Sequence, residues 1–284
     1  MSIAGRTLEN MDNRSFSVAM SVYKNDNPKH FKTALDSVLQ QTVKPSEVIL
    51  VVDGPIGIKL TDIIENYKKK YECIKVIWQK TNLGLGNALR VAVENSSYEL
   101  IARMDSDDIA VHDRFEQQLL EFEKDRDLDI VGGDINEFIN GVDDVVGIRK
   151  VPTDNVEIYK YMKKRCAMNH VTVMFKKSSV QKAGGYIELF CNEDYYLWIR
   201  MCLKNCKFAN TGTNLVNVRV GDDMYQRRGG KKYFKSEMQI QRFMLKQGFI
   251  SLYQFIINSM KRFCVQILLP NKLRGKVYQI FARS

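Results

Sequence analysis

Three carboxylates stand close together directly after a short apolar run. The run covers residues 100–104, and Asp105, Asp107 and Asp108 follow it within four positions. Carboxylates packed at the end of a strand repel one another, and a hard divalent cation with oxygen ligands relieves that repulsion. Two aspartates with one residue between them are, on their own, more often a solvated acidic turn than a metal site. The metal interpretation therefore depends on what the surrounding elements place beside this turn.

The acidic turn belongs to a repeating order of strands and helices. Apolar stretches typical of strands alternate with stretches of helical periodicity, and the strands are predicted at residues 16–22, 47–52, 74–78 and 100–104. Alternation of this kind indicates an α/β fold with a parallel sheet. The carboxyl ends of parallel strands form one edge of the sheet, where nucleotides bind in such folds. We therefore expect Tyr23, Asp53 and Asp105 to lie along that edge.

The pattern changes after residue 129. Shorter strands are predicted at the stretches 130–133, 137–148 and 170–175, the second of them a hairpin. Residues 192–198 then open a helix, with Glu193 and Asp194 in its first turn. The helix dipole stabilises acidic residues at this position, so helix capping alone would explain the pair without any catalytic role.

Basic residues are concentrated at the end of the chain. The formal net charge is +10, yet residues 226–284 hold 13 Lys/Arg against one acidic residue, Glu237. Such a tail favours a phosphate-bearing partner, which could be a lipid headgroup, a nucleic acid or a phosphorylated substrate. Helices are predicted at 236–247 and 251–269, the second with an apolar stripe. That stripe fits either a helical cap packed on the core or an amphipathic surface on anionic lipid, and we favour a combination.

The composition indicates a cytoplasmic protein. The six cysteines show no C-x-x-C pair and no regular framework, which is typical of free thiols in a reducing compartment. The N-terminal stretch lacks the apolar core of a signal peptide, and no apolar run approaches the roughly 20 residues of a membrane span. We expect any contact with a membrane to be peripheral.

Several short motifs, taken together and in this order, resemble glycosyltransferase family 2. They are SVAMSVY, SVLQQT, EVILVVDG, NLGLGNA, MDSDD and NEDYYLWIR. The resemblance covers about residues 15–230 and implies an inverting enzyme with the GT-A fold. The stretches VVDGP, NHVTVMF and MYQRRGG, with the tail sequence, are similar to bacterial enzymes that build O-antigen, capsule or exopolysaccharide on lipid-linked acceptors.

The resemblance implies roles for residues of the donor site. Asp53 matches the aspartate that hydrogen-bonds the nucleotide base, usually uracil. Asp105 and Asp107 match the D-x-D pair that holds Mn²⁺ or Mg²⁺, with Asp107 preferred as the direct ligand. Tyr23 lies where the end of the first strand meets the nucleotide. Two further residues are expected to contact the diphosphate, Arg227 and Arg228.

The resemblance also implies roles on the acceptor side. Asp194 matches the catalytic base, which removes the proton of the attacking hydroxyl, and Glu193 is its neighbour in the E-D motif. His170 has two interpretations, because a histidine before a strand is commonly a core or surface residue, yet this one could approach the acceptor.

These expectations divide the chain into four parts. They are a flexible N-terminus at 1–14, a nucleotide-sugar-binding half at 15–129, an acceptor-binding half at 130–230 and a basic amphipathic helical tail at 231–284. The expected activity is transfer of a sugar from a nucleotide-diphosphate sugar, with UDP as the expected nucleotide, to a hydroxyl of a lipid-linked saccharide. The expected location is the cytoplasmic face of the inner membrane, against an anionic lipid surface.

Two other functions compete with this interpretation. A sugar-phosphate nucleotidyltransferase also uses paired acids on a nucleotide-binding sheet, but no glycine-rich basic loop stands near the first strand. A nucleic-acid binder could use the basic tail, with an affinity that falls steeply with salt. Residues 1–225 hold 30 Lys/Arg and 32 Asp/Glu, and this nearly neutral body argues against a nucleic-acid partner.

Overall fold

The structure is a computed structural model and describes residues 15–221 and 229–269. Its strands are β1 (Phe16–Val22), β2 (Glu47–Val52), β3 (Ile74–Trp78), β4 (Leu100–Met104), β5 (Ile109–Ala110), β6 (Ile130–Phe138), β7 (Val145–Arg149), β8 (Met174–Lys176) and β9 (Phe208–Arg219). Its helices are α1 (Pro28–Leu39), α2 (Ile58–Lys70), α3 (Leu85–Asn95), α4 (Arg114–Lys124), α5 (Asn155–Met162), α6 (Lys177–Lys182), α7 (Glu193–Leu203), α8 (Gly230–Lys246) and α9 (Leu252–Phe263). Arg227 and Arg228 lie outside the described residues.

One sheet carries all nine of these strands. Its order is β3-β2-β1-β4-β8-β6-β9-β5, and β7 pairs with the C-terminal part of β6. The first four strands in this order are parallel, as the sequence predicts, whereas β8 runs antiparallel to both of its neighbours. β9 returns parallel to β6. The result is an α/β fold whose first half is parallel and whose second half is mixed.

The register of the parallel strands aligns their carboxyl ends. Val22 pairs with Val52, so the residues that follow them, Tyr23 and Asp53, are neighbours at the sheet edge. β4 ends on Met104, which pairs within β1, and Asp105 comes next. The expectation that these three side chains share one edge is therefore confirmed.

The continuous apolar run of β2 follows from burial on both faces of the sheet. Val48, Leu50 and Val52 pack into a core cluster with α1 and α4 on one side. Ile49 and Val51 pack into a second cluster, with α3 and α7, on the other side. Strands covered on both faces need no polar alternation, because neither face meets water.

The prediction of a strand at residues 170–175 is mostly wrong. Residues 170–172 form a single 3₁₀ turn, and pairing begins only at Met174. Side chains at this turn take the place of the backbone hydrogen bonds that a paired strand would make. Thr172 Oγ1 accepts the N–H of Gly133 at 3.0 Å, and Asn169 Nδ2 donates to the Gly133 carbonyl at 2.8 Å. On this side of β6, opposite β9, the backbone groups of Gly133 are thus satisfied without a neighbouring strand.

The C-terminal helices form a hairpin on the second core cluster. Ile240 and Met244 of α8 are fully buried in that cluster, and the ring of Phe243 meets Tyr196 of α7 at 5.0 Å. α9 packs back on α8, with the rings of Phe234 and Phe263 5.9 Å apart. Within the described ranges no helix combines the length and the apolar character that a membrane span needs.

Candidate functional site

The buried side chain of Asp53 organises the glycine-rich loop before α3. Its two carboxylate oxygens accept the N–H groups of Leu83 at 2.8 Å and Gly84 at 3.0 Å. Asn82 Nδ2 donates to the Asp53 carbonyl at 3.1 Å. Gly54 has φ +85°, and a Cβ there would stand 2.5 Å from the backbone nitrogen of Asn82. The loop therefore packs in direct contact with the end of β2. The role of Asp53 in binding a nucleotide base stays a prediction.

Asp26 joins the end of β1 to the acidic turn, a contact that was not predicted from the sequence. Its Oδ2 accepts the N–H of Tyr23 at 3.0 Å and the hydroxyl of Ser106 at 2.8 Å. Burial raises the pKa of Asp26 to about 6, and the charge of Asp105 adds to that rise. The side chain of Tyr23 stays exposed beside it. A lone aspartate in a polar loop, 80 residues from its partner, carries no sequence signal.

A buried cation stands directly behind the acidic turn. The Arg103 guanidinium forms two hydrogen bonds with the Asp105 carboxylate, the bond from Nη1 to Oδ2 being 2.6 Å long. Arg103 is 3% exposed and Asp105 is 34% exposed, so the pair reaches from the core to the surface. The guanidinium of the buried Arg114 donates to the Arg103 carbonyl at 2.7 Å and holds the end of β4 in place. Neither role can be predicted from the sequence, because Arg103 lies within an apolar strand and Arg114 is the first residue of an ordinary amphipathic helix.

The remaining two aspartates of the turn differ in exposure. Asp107 is exposed at the surface of the turn, while Asp108 is buried and accepts the N–H of Arg219 at 2.8 Å. The surrounding protein desolvates the Asp107 carboxyl in part and raises its pKa to about 6, and the charges of Asp105 and Asp26 contribute to that rise. Burial raises the pKa of Asp108, and repulsion from the charges of Asp105 and Asp107 raises it further. The turn is therefore an acidic cluster that Arg103 compensates only in part and that faces solvent through Asp107.

This cluster fits a divalent cation that takes some of its ligands from the protein and the others from a substrate. Across residues 15–221 and 229–269, no group of three or more His, Cys, Asp or Glu side chains is arranged to hold a metal by itself. Mg²⁺ at nucleotide sites is commonly bound by one or two carboxylates plus substrate phosphates. Both oxygens of Asp105 already accept hydrogen bonds from Arg103. Asp107 is therefore the better candidate for direct contact with the ion.

The E-D pair opens α7 near the same cluster. Glu193 is buried, and Asp194 is half-buried in the first turn. Burial raises the pKa of Glu193 to about 8, with a further rise from the charge of Asp194 and an opposing effect of Arg103. Arg103 thus acts electrostatically on Glu193 as well as on Asp105, which indicates that the structure brings the two acidic motifs to one region.

His170 lies in an aromatic cluster beside Arg103. Its Nε2 lies 2.9 Å from the hydroxyl of Tyr186, and its ring meets Trp198 edge-on at 6.0 Å. Burial and the charge of Arg103 lower the pKa of His170 well below its usual range, so the imidazole is neutral. The contacts fit a packed residue, and contact with an acceptor stays a hypothesis.

Glu188 links the second half of the chain to the glycine-rich loop, and this contact was not predicted from the sequence either. Its Oε2 accepts the N–H of Gly86 at 3.0 Å across 102 residues of sequence. A Cβ at Gly84 or Gly86 would stand 2.8 or 2.9 Å from that carboxylate. At Gly86 a Cβ would also stand 3.1 Å from the Cα of Glu188, so the approach of the backbone favours glycine there, whereas at Gly84 the φ of +92° does so.

Comparison with known proteins accounts for this arrangement. A family model described as Glycosyl transferase family 2 matches residues 17–189. The mannosyltransferase PcManGT from Pyrobaculum calidifontis, solved with GDP-Man and Mn²⁺, superposes with a TM-score of 0.61 at 12% identity, covering 92% of this chain and 71% of that one. At this identity the likeness concerns the fold alone, and it confirms the predicted GT-A architecture.

Two relatives align with nearly the whole chain. An uncharacterized glycosyltransferase of Haemophilus influenzae is 38% identical over 95% of this chain and 99% of its own length. The UDP-Gal:alpha-D-GlcNAc-diphosphoundecaprenol beta-1,3-galactosyltransferase of Escherichia coli is 37% identical over 94% of this chain and 96% of its own. Because the family model spans more than half of the chain and both relatives exceed 30% identity, the chain belongs to glycosyltransferase family 2.

Proposed function

We propose that this chain transfers a sugar, with inversion at the anomeric carbon, from a UDP-linked donor to a hydroxyl of a lipid-linked saccharide in the synthesis of a bacterial surface polysaccharide. The Escherichia coli relative supports this proposal, because its name specifies a UDP-sugar donor and a diphosphoundecaprenol acceptor. A nucleotide donor and a lipid-anchored acceptor would meet at the cytoplasmic face of the inner membrane, where we expect the protein to work as a peripheral enzyme.

The observation that carries the proposal is the acidic cluster at the carboxyl edge of the sheet with the E-D pair in the same region. Asp107 faces solvent, and Asp105 is held behind it by Arg103. We assign Asp107 to bind Mn²⁺ or Mg²⁺ together with the donor phosphates. A bound divalent cation would stabilise the negative charge that develops on the leaving nucleoside diphosphate. Arg227 and Arg228 are proposed as further contacts of the diphosphate.

Proton transfer is assigned to the E-D pair. A sugar hydroxyl is a weak nucleophile and needs a base within hydrogen-bond reach. With its pKa raised to about 8 by burial, Glu193 keeps its proton at neutral pH. Asp194 is therefore the carboxylate that we assign as the base, taking the proton from the acceptor oxygen as that oxygen attacks from the face opposite the leaving group.

Thermal stabilisation by nucleotides tests the donor site. The purified protein would be melted with UDP, GDP, dTDP or CDP, each with and without Mn²⁺. A ligand that binds only the folded state adds roughly 2.7 kcal/mol at about 100 times its Kd. We expect a UDP shift that needs Mn²⁺, that disappears in Asp107→Ala and that persists in Asp62→Ala, which removes an exposed carboxylate on α2.

The other outcomes are equally informative. A Mn²⁺-dependent shift with a nucleotide other than UDP would overturn the donor assignment while leaving the acidic cluster as the binding site. A folded protein that responds to none of the four would contradict the donor site as a whole. Product analysis separates the rival activity, since a nucleotidyltransferase would consume a nucleoside triphosphate and a sugar phosphate instead of a UDP-sugar.

A further inference from the structure

Helix α9 packs with its polar face toward the protein. Asn258 is 3% exposed, and its side chain donates to Gln241 Oε1 and to the carbonyl of Lys163, each at 2.9 Å. Gln254, one turn earlier, donates to Asn258 Oδ1 at 2.8 Å. These polar side chains face α8 and the end of α5. In a surface helix, side chains of this kind normally face solvent.

An ion pair completes this inward polar face. The guanidinium of Arg262 hydrogen-bonds the carboxylate of Glu237 on α8, and the two side chains are 12% and 9% exposed. Arg262 Nη2 also donates to the carbonyl of Lys164 at 3.0 Å. A buried pair of this kind fixes which side of the helix faces the protein, because rotating α9 would leave both charges without partners.

The opposite face of α9 is apolar and exposed. Its large side chains recur at helical spacing and remain between two fifths and three quarters exposed, namely Leu252 (62%), Tyr253 (74%), Ile256 (46%), Met260 (62%) and Phe263 (44%). We call these five residues the outer stripe. Large contiguous apolar surfaces on a folded protein mark sites where another apolar phase or partner is bound.

The charge of the helical hairpin that carries the outer stripe selects among possible partners. Residues 229–269 contain seven Lys/Arg and one acidic residue, Glu237, which is already paired with Arg262. The other six cations of this segment are exposed, namely Lys231, Lys232, Lys235, Arg242, Lys246 and Lys261. A second copy of the chain would bring the same positive charge against this surface and would be repelled. An anionic bilayer instead offers both an apolar phase and negative headgroups.

We propose that α9 lies on an anionic phospholipid bilayer with its outer stripe inserted at the level of the headgroups and upper acyl chains. This orientation also connects the bilayer to the site. Phe263 packs against Phe234, and Ser236, two residues later, accepts a hydrogen bond from Asn192 at 3.0 Å directly before Glu193. The bilayer would therefore lie on the acceptor side of the site. That connection rests on the proposed function, whereas the lipid contact does not.

Vesicle co-sedimentation of the full chain tests the lipid contact without nucleotide or acceptor. We expect binding to vesicles of mixed phosphatidylcholine and phosphatidylglycerol, weak binding to phosphatidylcholine alone, and a decrease with added salt. The triple exchange Tyr253→Ser, Ile256→Ser and Met260→Ser should lower the partition coefficient by roughly tenfold or more, because each exchange removes apolar area from the inserted face.

A matched control removes comparable apolar area elsewhere. Ile58→Ser, Ile148→Ser and Val156→Ser change side chains that are 71%, 45% and 62% exposed, away from α9. This control should bind anionic vesicles like the unaltered chain. Both triple variants change exposed side chains, and their thermal melting, with and without UDP and Mn²⁺, would establish that they fold.

Three results would overturn the proposal. One is equal vesicle binding by the outer-stripe variant and the unaltered chain, which would assign lipid binding to other residues such as 270–284. Another is the absence of binding to anionic vesicles by a folded protein. The third is a dimer in solution that the outer-stripe variant dissociates, because a second copy would then occupy the stripe. Since none of these measurements uses catalysis, failure here leaves the donor-site test untouched, and the reverse holds as well.

Insertion depth gives an independent measurement. Tyr253→Trp places an indole on the most exposed position of the outer stripe. Lipids brominated in the upper acyl chain should quench this tryptophan beyond the quenching of the unaltered chain, which carries Trp78 and Trp198. Equal quenching of the two proteins on vesicles to which both are bound would place α9 away from the bilayer and contradict the proposal.

Discussion

Removing the cation behind the acidic turn should weaken folding and at the same time increase the response to divalent metal. Arg103→Met keeps most of the side-chain volume and eliminates the two hydrogen bonds to Asp105. Breaking a buried ion pair costs about 3–5 kcal/mol of unfolding free energy. Asp105 is 34% exposed, so water stabilises part of its freed charge and we expect a loss of about 2 kcal/mol.

The metal response follows from the charges that remain. Without Arg103, the carboxylates of Asp105, Asp107 and Asp108 repel one another with less compensation, because Arg103 lowers the pKa values of Asp107 and Asp108. A bound Mn²⁺ would take over that compensation. We therefore expect Mn²⁺ to raise the unfolding free energy of Arg103→Met by more than it raises that of the unaltered chain.

Urea denaturation at pH 8, with and without Mn²⁺, measures both effects. Arg90→Met is the matched control, because it breaks an ion pair with Glu94 on the surface of α3, where the side chains are 43% and 53% exposed. Exposed pairs on a helix contribute about 0.3–0.5 kcal/mol, so this control should be nearly neutral and indifferent to Mn²⁺. A variant at Arg103 that behaves like the control in both respects would refute the electrostatic account of the turn.

Three further predictions concern the E-D pair and the glycine-rich loop. Asp194→Asn should abolish most turnover while leaving the Mn²⁺-dependent UDP shift intact, as measured by product formation and melting; near-normal turnover would remove Asp194 from its role. Burial raises the pKa of Glu193 from 4.5 to about 8, so the folded state holds a proton that the unfolded state releases, and stability falls as pH rises through that window. Glu193→Gln should flatten this fall in urea titrations at pH 5 and pH 8, and an unchanged slope would contradict it. Asp53→Ala should lose about 2 kcal/mol of unfolding free energy, because two partly buried hydrogen bonds, from the N–H groups of Leu83 and Gly84 to the carboxylate, are removed; a loss below about 1 kcal/mol would refute that contribution.

The sequence by itself determined the parallel half of the fold. The six residues of β2 are apolar almost throughout because both faces of the sheet are covered, and that pattern is readable without a structure. The same reasoning located Asp53 and Asp105, since a polar residue directly after a buried strand must lie at the sheet edge. Local composition was sufficient there because the constraint itself is local.

Only the tertiary structure decided which distant groups complete the site. Asp26 meets Ser106 across 80 residues, and Glu188 meets Gly86 across 102. Neither acidic residue has a local pattern that separates it from an ordinary surface carboxylate. Arg103 interrupts an apolar strand, and nothing in the strand indicates that its charge is balanced by Asp105 two residues later.

The C-terminal hairpin illustrates the same division. Helical periodicity predicted an apolar stripe on α9, yet periodicity specifies only that one face is apolar and not what covers it. In the structure the polar face of α9 packs against α8, because Asn258 and Arg262 bind the buried side chains of Gln241 and Glu237 there. The direction in which a stripe faces depends on the partners of the other side, and those partners are assembled only when the chain folds.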